Sequence, residues 1–174
     1  MEANLSACTR TGERVSVRVL CVAEYQRLRD FLYLAIYVPL GSQAPDASIV
    51  DHPDLTKYHA SFGHVSDDAL TAVIGGELVG VAWVRQFTAH DPGYGYCDDA
   101  YPELSMAVLP ERRGMGIGRM LLDARIACQR ALGTCGISLS VSQGNPAQRL
   151  YARAGFRVAV QRAGDLLTVL ELQA

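Results

Sequence analysis

The sequence predicts a mixed α/β (α+β) domain: a mostly antiparallel sheet of about seven strands, one parallel β-α-β crossover at its centre, and helices on both faces. Three observations predict it. Ala69–Ile74 and Leu78–Phe87 are strand-like apolar runs joined by Gly75-Gly76, and glycine accepts the positive φ of a tight hairpin turn. Leu104–Leu109 is an apolar run followed by a glycine-rich turn, a helix to about Leu132 and another apolar run, Ile137–Val141. Strand, helix and strand in that order imply a right-handed parallel crossover. Phe156–Gln161 and Leu166–Leu172 flank Ala163-Gly164 as a closing hairpin.

In chain order, residues 1–13 are polar and aperiodic and read as a flexible tail, which places the domain at 14–174. Val15–Leu20 alternates as a first strand. Ala23–Tyr37 reads as a helix, with Leu28, Phe31, Leu32, Ala35 and Ile36 on one stripe and Pro39 and Gly41 ending it. Residues 38–53 hold three prolines and read as a loop. Asp54 can cap a short helix through Phe62. In Leu78–Phe87 the alternation puts Val79, Val81, Trp83 and Arg85 on one face. Thr88–Pro102 is a second loop, carrying Gly93, Tyr94, Gly95 and Tyr96. Gly133 ends the long helix. Asn145-Pro146 opens the last helix, Asn as cap and Pro in the first turn, and Gly155 closes it.

The 174 residues suit a single domain, and 49% hydrophobic with 20% charged residues is ordinary for a globular protein. A net charge of −2 speaks against a general nucleic-acid binder. No apolar run reaches membrane-span length, and the first residues lack a signal-peptide layout. Five cysteines without a CxxC pair fit reduced thiols and a cytoplasmic location.

Chemistry concentrates in Glu103–Arg119, ELSMAVLPERRGMGIGR. Pro110 stops the strand. Arg112, Arg113, Gly114, Gly116 and Gly118 then lead into a helix whose N-terminus carries free N–H groups and partial positive charge. Glycines admit a phosphate close to the backbone, and Arg112, Arg113 and Arg119 add cationic donors, so the stretch suits a pyrophosphate. It is no P-loop, because no Lys-Ser or Lys-Thr follows the glycines. It is no Rossmann fingerprint either, because residue 119 is Arg. A glycine-rich turn without a ligand is the alternative that the pattern leaves open.

Arg113-Gly-Met-Gly116-Ile-Gly118, an R-x-x-G-x-G pattern directly after a strand, resembles the acetyl-CoA motif of the GCN5-related N-acetyltransferases (GNAT). Asn145 to Phe156 is similar to the family's N-x-x-A-x-x-L-Y-x-x-x-G-F segment, although Ala147 sits one place early. The order of elements resembles the GNAT fold along nearly the whole chain.

The resemblance implies acetyl-CoA as co-substrate and no metal. The main chain of Met106, Ala107 and Val108 would bond the pantetheine arm, with the Val108 N–H facing the thioester carbonyl. Arg113, Gly114, Met115, Gly116, Ile117, Gly118 and Arg119 would hold the pyrophosphate, Asn145 would lie near the cysteamine end, and Tyr151 would protonate the departing thiolate. The two central parallel strands would splay around the thioester. The acceptor would be a small-molecule or peptide primary amine, with no nucleic acid or membrane as partner. A homodimer is a fold-level analogy.

An amine near its reference pKa of about 10.4 is mostly protonated at neutral pH, so its attack calls for a base. Glu103 is the candidate, against a plain surface acid at a strand end. Tyr151 as acid stands against a core tyrosine. His52, His59, His64 and His90 fit no zinc spacing and read as loop residues. Cys128 and Cys135 read as interior packing. Tyr94 and Tyr96 would either wall the acceptor site or cover the sheet. Asp91, Asp98, Asp99 and Glu103 lean the acceptor towards a cation. A non-catalytic acyl-CoA-binding module, or an acyltransferase using another acyl group, would share the same anion seat.

Overall fold

The computed structural model describes residues 5–172. It opens with β1 (Leu5–Cys8) and β2 (Arg14–Val19), an antiparallel hairpin turned at Gly12, where φ is +86°. The expectation of a flexible tail over 1–13 is therefore corrected for its described part, while residues 1–4 lie outside the described residues. All four β1 residues are exposed, so this edge strand has no apolar face to announce it.

A 3₁₀ turn at Val22–Arg27 precedes α1 (Leu28–Ala35) and takes the first part of the expected helix. Leu28, Phe31 and Leu32 are its buried stripe. A second 3₁₀ turn, Ala47–Asp51, lies within the expected loop 38–53. It leads to α2 (Pro53–Thr56), which is capped by His52 rather than Asp54: the His52 Nδ1 accepts the Asp54 N–H at 3.3 Å.

The central hairpin pairs β3 (Asp68–Ile74) with β4 (Glu77–Arg85) through Gly75 and Gly76, at φ +57° and +88°. The register slips between Ala72 and Val73, whose partners are Gly80 and Leu78, leaving Val79 as a bulge. Val79 consequently packs with the α3-side core, while Val81 and Trp83 pack on the other face, which corrects the expected common face.

Next come β5 (Glu103–Val108), α3 (Ile117–Ala131), β6 (Gly136–Ser142), the short α4 (Gln148–Arg153), β7 (Arg157–Gln161) and β8 (Asp165–Glu171). The Asn145 Oδ1 accepts the Ala147 N–H at 2.9 Å, so Asn145 organises the entry to α4. Gly155 leaves that helix at φ +100°.

The eight strands form one sheet in the order β1-β2-β3-β4-β5-β6-β8-β7, one more than expected because of β1. Only β5 and β6 run parallel. One core lies under α3 and α4, with Leu104, Ile117, Leu121, Leu122, Leu139 and Tyr151. The other lies under α1 and α2, with Phe31, Tyr58, Trp83, Phe87 and Ala107. No helix among the described residues is long and apolar enough to cross a membrane. The five cysteines are free.

Candidate active site

Along its whole length, β5 pairs with β4, from Arg85↔Glu103 to Gly80↔Val108. Towards β6 it pairs at one position, Glu103↔Ser138, beside the bond from the Ser138 N–H to the Pro102 carbonyl (3.1 Å). Beyond that point the parallel strands part, and a wedge opens towards the C-terminal end of β5.

Antiparallel alternation decides which groups face the wedge. The Leu109 N–H donates to the Val79 carbonyl at 2.9 Å. Stepping back by two along the register, the main chain of Ala107 faces β4, and that of Met106 and Val108 faces β6. Of the three residues expected to bond a pantetheine arm, Ala107 is therefore corrected: its main-chain groups are turned to β4. The main-chain edge of Met106 and the Val108 N–H are available, while the Val108 carbonyl accepts the Arg113 Nε at 3.1 Å.

The glycine turn sits at the wedge mouth. Gly114 and Gly116 adopt φ of +76° and +92°, and a Cβ on either would meet nothing within 4 Å. These glycines serve backbone conformation, and the space beside them is open. Gly118 differs: its would-be Cβ makes ordinary contact with Leu150, Val108 and Met106. The main-chain N–H groups from Gly114 to Arg119 donate to no acceptor among the described residues. A run of free amides at the start of a 15-residue helix makes an anion seat.

The arginines around it are tethered. The Arg113 Nε donates to the Val108 carbonyl and its Nη2 to the Leu34 carbonyl, both at 3.1 Å, which pins α1 to the turn. Arg112 pairs with Glu13 at 3.1 Å, and the Arg10 N–H donates to the Met115 carbonyl at 3.2 Å. The N-terminal hairpin thus braces the turn. Arg119 pairs with Asp123 one helical turn on, at 2.6 Å. Main-chain amides, more than guanidinium groups, face the seat.

Glu103 is 4% exposed, so it is no surface acid. Its Oε1 accepts the Tyr58 hydroxyl at 2.7 Å and the Gly95 N–H at 2.8 Å, while Oε2 is buried without a partner among the described residues. Burial pushes its pKa up to about 7 against the pull of those two donors. Gly93 and Gly95 make this possible. A Cβ on Gly93 would lie 2.1 Å from the Glu103 Oε2, and one on Gly95 would lie 2.7 Å from the Leu139–Ser140 main chain. Lys57 holds the loop through Asp91 (2.8 Å) and the Pro92 carbonyl, and Arg162 holds it through the Tyr94 carbonyl.

Tyr151 lies in the α3/α4 core, 9% exposed, with its ring 5.7 Å from that of Phe156. Burial pushes its pKa up to about 12, and its hydroxyl has no hydrogen-bond partner among the described residues. Glu103, bonded to Tyr58 of the α1/α2 core, and Tyr151 therefore stand on opposite faces of the sheet.

The remaining candidates have local partners. His59 meets the Val50 carbonyl at 3.1 Å, and His64 and His90 are exposed. No group of three or more His, Cys, Asp or Glu able to hold a metal occurs among the described residues. Cys128 and Cys135 are half-buried rather than interior. Asp91 is paired with Lys57, and Asp99 accepts the Ala89 N–H and the Tyr96 hydroxyl, so the acidic loop is largely satisfied internally. Tyr94 stacks over Tyr58 at 6.4 Å. Sequence reasoning missed Tyr58, which is 45 residues from Glu103. The Gly-Tyr-Gly-Tyr run at 93–96 was the available signal of a close approach.

Comparison with known proteins agrees with this geometry. The model of the acetyltransferase (GNAT) domain matches residues 66–158, more than half of the chain. The fold is similar to the GNAT domain of S. lividans PAT, with a TM-score of 0.69, 20% identity and 97% of each chain covered. It is also similar to yncA, a putative acetyltransferase from Salmonella typhimurium solved with acetyl-CoA, with a TM-score of 0.67, 21% identity and 92% and 95% covered. The ribosomal-protein-S18-alanine N-acetyltransferase from Escherichia coli follows, with a TM-score of 0.65, 15% identity and 92% and 95% covered. No curated protein matches the sequence. With the family model spanning residues 66–158 and the wedge, glycine turn and crossover all in place, the chain belongs to the GNAT acetyltransferase family.

Proposed function

We propose that this protein is an acetyl-CoA-dependent N-acetyltransferase that passes an acetyl group to a primary amine by direct attack in a ternary complex. The observation that carries the reading is the wedge: the main-chain edge of Met106 and the Val108 N–H, left unpaired by β6, continue into the free amides of Gly114–Arg119. A pantetheine arm can add to such an edge as a short strand does, and a pyrophosphate suits the amides. The similar yncA structure holds acetyl-CoA. Free thiols fit a cytoplasmic setting.

Acetyl-CoA supplies an activated thioester. The amides of Gly114–Arg119 orient its diphosphate, and Asn145 flanks the arm near the wedge. Glu103 accepts a proton from the acceptor's ammonium, directly or through one water. The Val108 N–H donates to the thioester oxygen as that oxygen gains charge. The new C–N bond forms, the C–S bond breaks, Tyr151 gives its proton to the sulfur, and the attacking nitrogen sheds its second proton to solvent. Glu103 returns its proton to solvent, and Tyr151 recovers one. Placement on opposite faces keeps the base with the incoming amine and the acid with the leaving thiol.

The test is thiol release from acetyl-CoA with a panel of primary amines: spermidine, an aminoglycoside, a lysine-bearing peptide and a peptide with an N-terminal alanine. Amine-dependent release with matching acetylated product supports the reading. Tight acetyl-CoA binding without release for any panel member would favour a binding module.

A further inference from the structure

Tyr58 reaches Glu103 from the turn that follows α2, across the sheet face and 45 residues away, and the contact is built rather than incidental. Tyr58 is 4% exposed, and its ring packs 4.9 Å from Phe87 and stacks on Tyr94. Its own carbonyl accepts the Trp83 indole N–H at 3.0 Å. Its hydroxyl accepts the Tyr94 N–H while donating to the Glu103 Oε1. Each end of the side chain is therefore fixed, and so is the direction of its proton.

We infer that Tyr58 is a positioning residue for Glu103: with the Gly95 amide it saturates Oε1, and so leaves Oε2 as the atom that takes the acceptor's proton. The inference rests on the reading of Glu103 as base. Oε2 is buried, has no partner among the described residues, and lies where Gly93 lacks a side chain. A buried carboxylate oxygen without a partner is costly unless a ligand or water completes it.

The charges around Glu103 agree with that division of labour. Lys57 beside α2 and Arg162 from the β7–β8 turn draw its pKa down, while burial raises it. Cys97 in the loop is itself pushed up, mainly by burial, with Glu103 adding to the rise. Arg85, the cross-strand partner, is turned to Asp67 and to the carbonyls of Lys57 and Ala60. Burial and the Glu103 charge push the Tyr58 hydroxyl far above its ordinary value, so it donates at any working pH and does not itself transfer the proton.

The experiment is an NMR titration of protein labelled at the glutamate side-chain carboxyl carbon, with the Glu103 signal identified by its loss in Glu103→Gln. In Tyr58→Phe the Glu103 pKa should rise by about one unit, because a donor to the charged form is gone. Fluorotyrosine placed at position 58 alone keeps ring and hydroxyl but donates more strongly, and should move the pKa down. This second variant answers the question even if Tyr58→Phe folds poorly. An unchanged Glu103 pKa in a folded variant overturns the role of Tyr58. Failure of the underlying reading looks different: Glu103→Gln would keep wild-type thiol release with every active panel amine, whatever the titration gave.

Discussion

Glu103 and Ser138 are the last partners before β5 and β6 diverge, and the carboxylate proposed as base sits at that fork. The parity of the β4–β5 ladder turns the Met106 and Val108 amides to the open side and the Ala107 amide to β4. Amide hydrogen exchange should therefore alternate along β5 in the free protein, slow at Ala107 and faster at Met106 and Val108. Saturating acetyl-CoA should slow Met106 and Val108 and leave Ala107 unchanged. Equal protection of all three in the free protein would mean that the wedge is closed in solution.

Gly116 stands as N-cap of α3 at φ +92°, with open space where a Cβ would go. Gly116→Val has two effects. A β-branched residue is strained there, at a cost on the order of 1–3 kcal/mol. Its side chain also enters the space that a diphosphate would use. Acetyl-CoA affinity by calorimetry should fall at least about ten-fold, the equivalent of about 1.4 kcal/mol, with the circular dichroism spectrum retained. Wild-type affinity would place the anion seat elsewhere.

Tyr151 carries its proton in a buried setting that holds its pKa up at about 12, so it stays protonated across the neutral range. Tyr151→Phe keeps the ring against Phe156 and removes only the hydroxyl. Turnover should fall by about 10²-fold or more, in the range of general acid catalysis, while the acetyl-CoA dissociation constant shifts little. Unchanged turnover at saturating acceptor would make Tyr151 a core tyrosine only.

Glu103 also couples pH to stability. Its folded pKa, about 7, lies above the ordinary value of 4.5. Between those values the folded state holds a proton that the unfolded chain has released, so the contribution is full below pH 4.5 and is lost as pH rises through 7. A shift of that size is worth about 3 kcal/mol. Glu103→Gln has no such titration. Its melting temperature relative to wild type should therefore be several degrees better at pH 8 than at pH 4.5, read by thermal melts at the two pH values. A difference independent of pH would show that Glu103 ionises as an ordinary carboxylate.

What the sequence disclosed was local in origin. The Gly75-Gly76 hairpin, the glycine turn and the Asn145 entry to α4 each depend on residues within a few places of one another, so turn and capping chemistry announces them. The resemblance alone implies the wedge, since no pattern in β5 or β6 marks strands that part. β1 escaped because an exposed edge strand has no buried face, and the bulge at Val79 broke an alternation that otherwise read correctly. Tyr58 and Glu103 meet only through the tertiary packing of the turn after α2 under the 88–102 loop, and no short-range period encodes that.

Arg125 tests the other side of the molecule. It lies on α3, fully buried, with Asp68 as its one counterion among the described residues, at 2.5 Å, while Nε and Nη1 have no partner. Two buried donors left unmade offset much of what the ion pair contributes. Removing the carboxylate leaves a whole buried charge uncompensated, so Asp68→Ala should destabilise by about 3–5 kcal/mol in urea unfolding. Arg125→Met removes that charge and its unmet donors together and leaves Asp68, whose side chain is 35% exposed, in reach of water. It should be neutral or stabilising by up to about 4 kcal/mol. The asymmetry is the discriminating measurement: if both variants lose stability equally, the pair itself, and not the desolvated guanidinium, sets the energetics beneath α3.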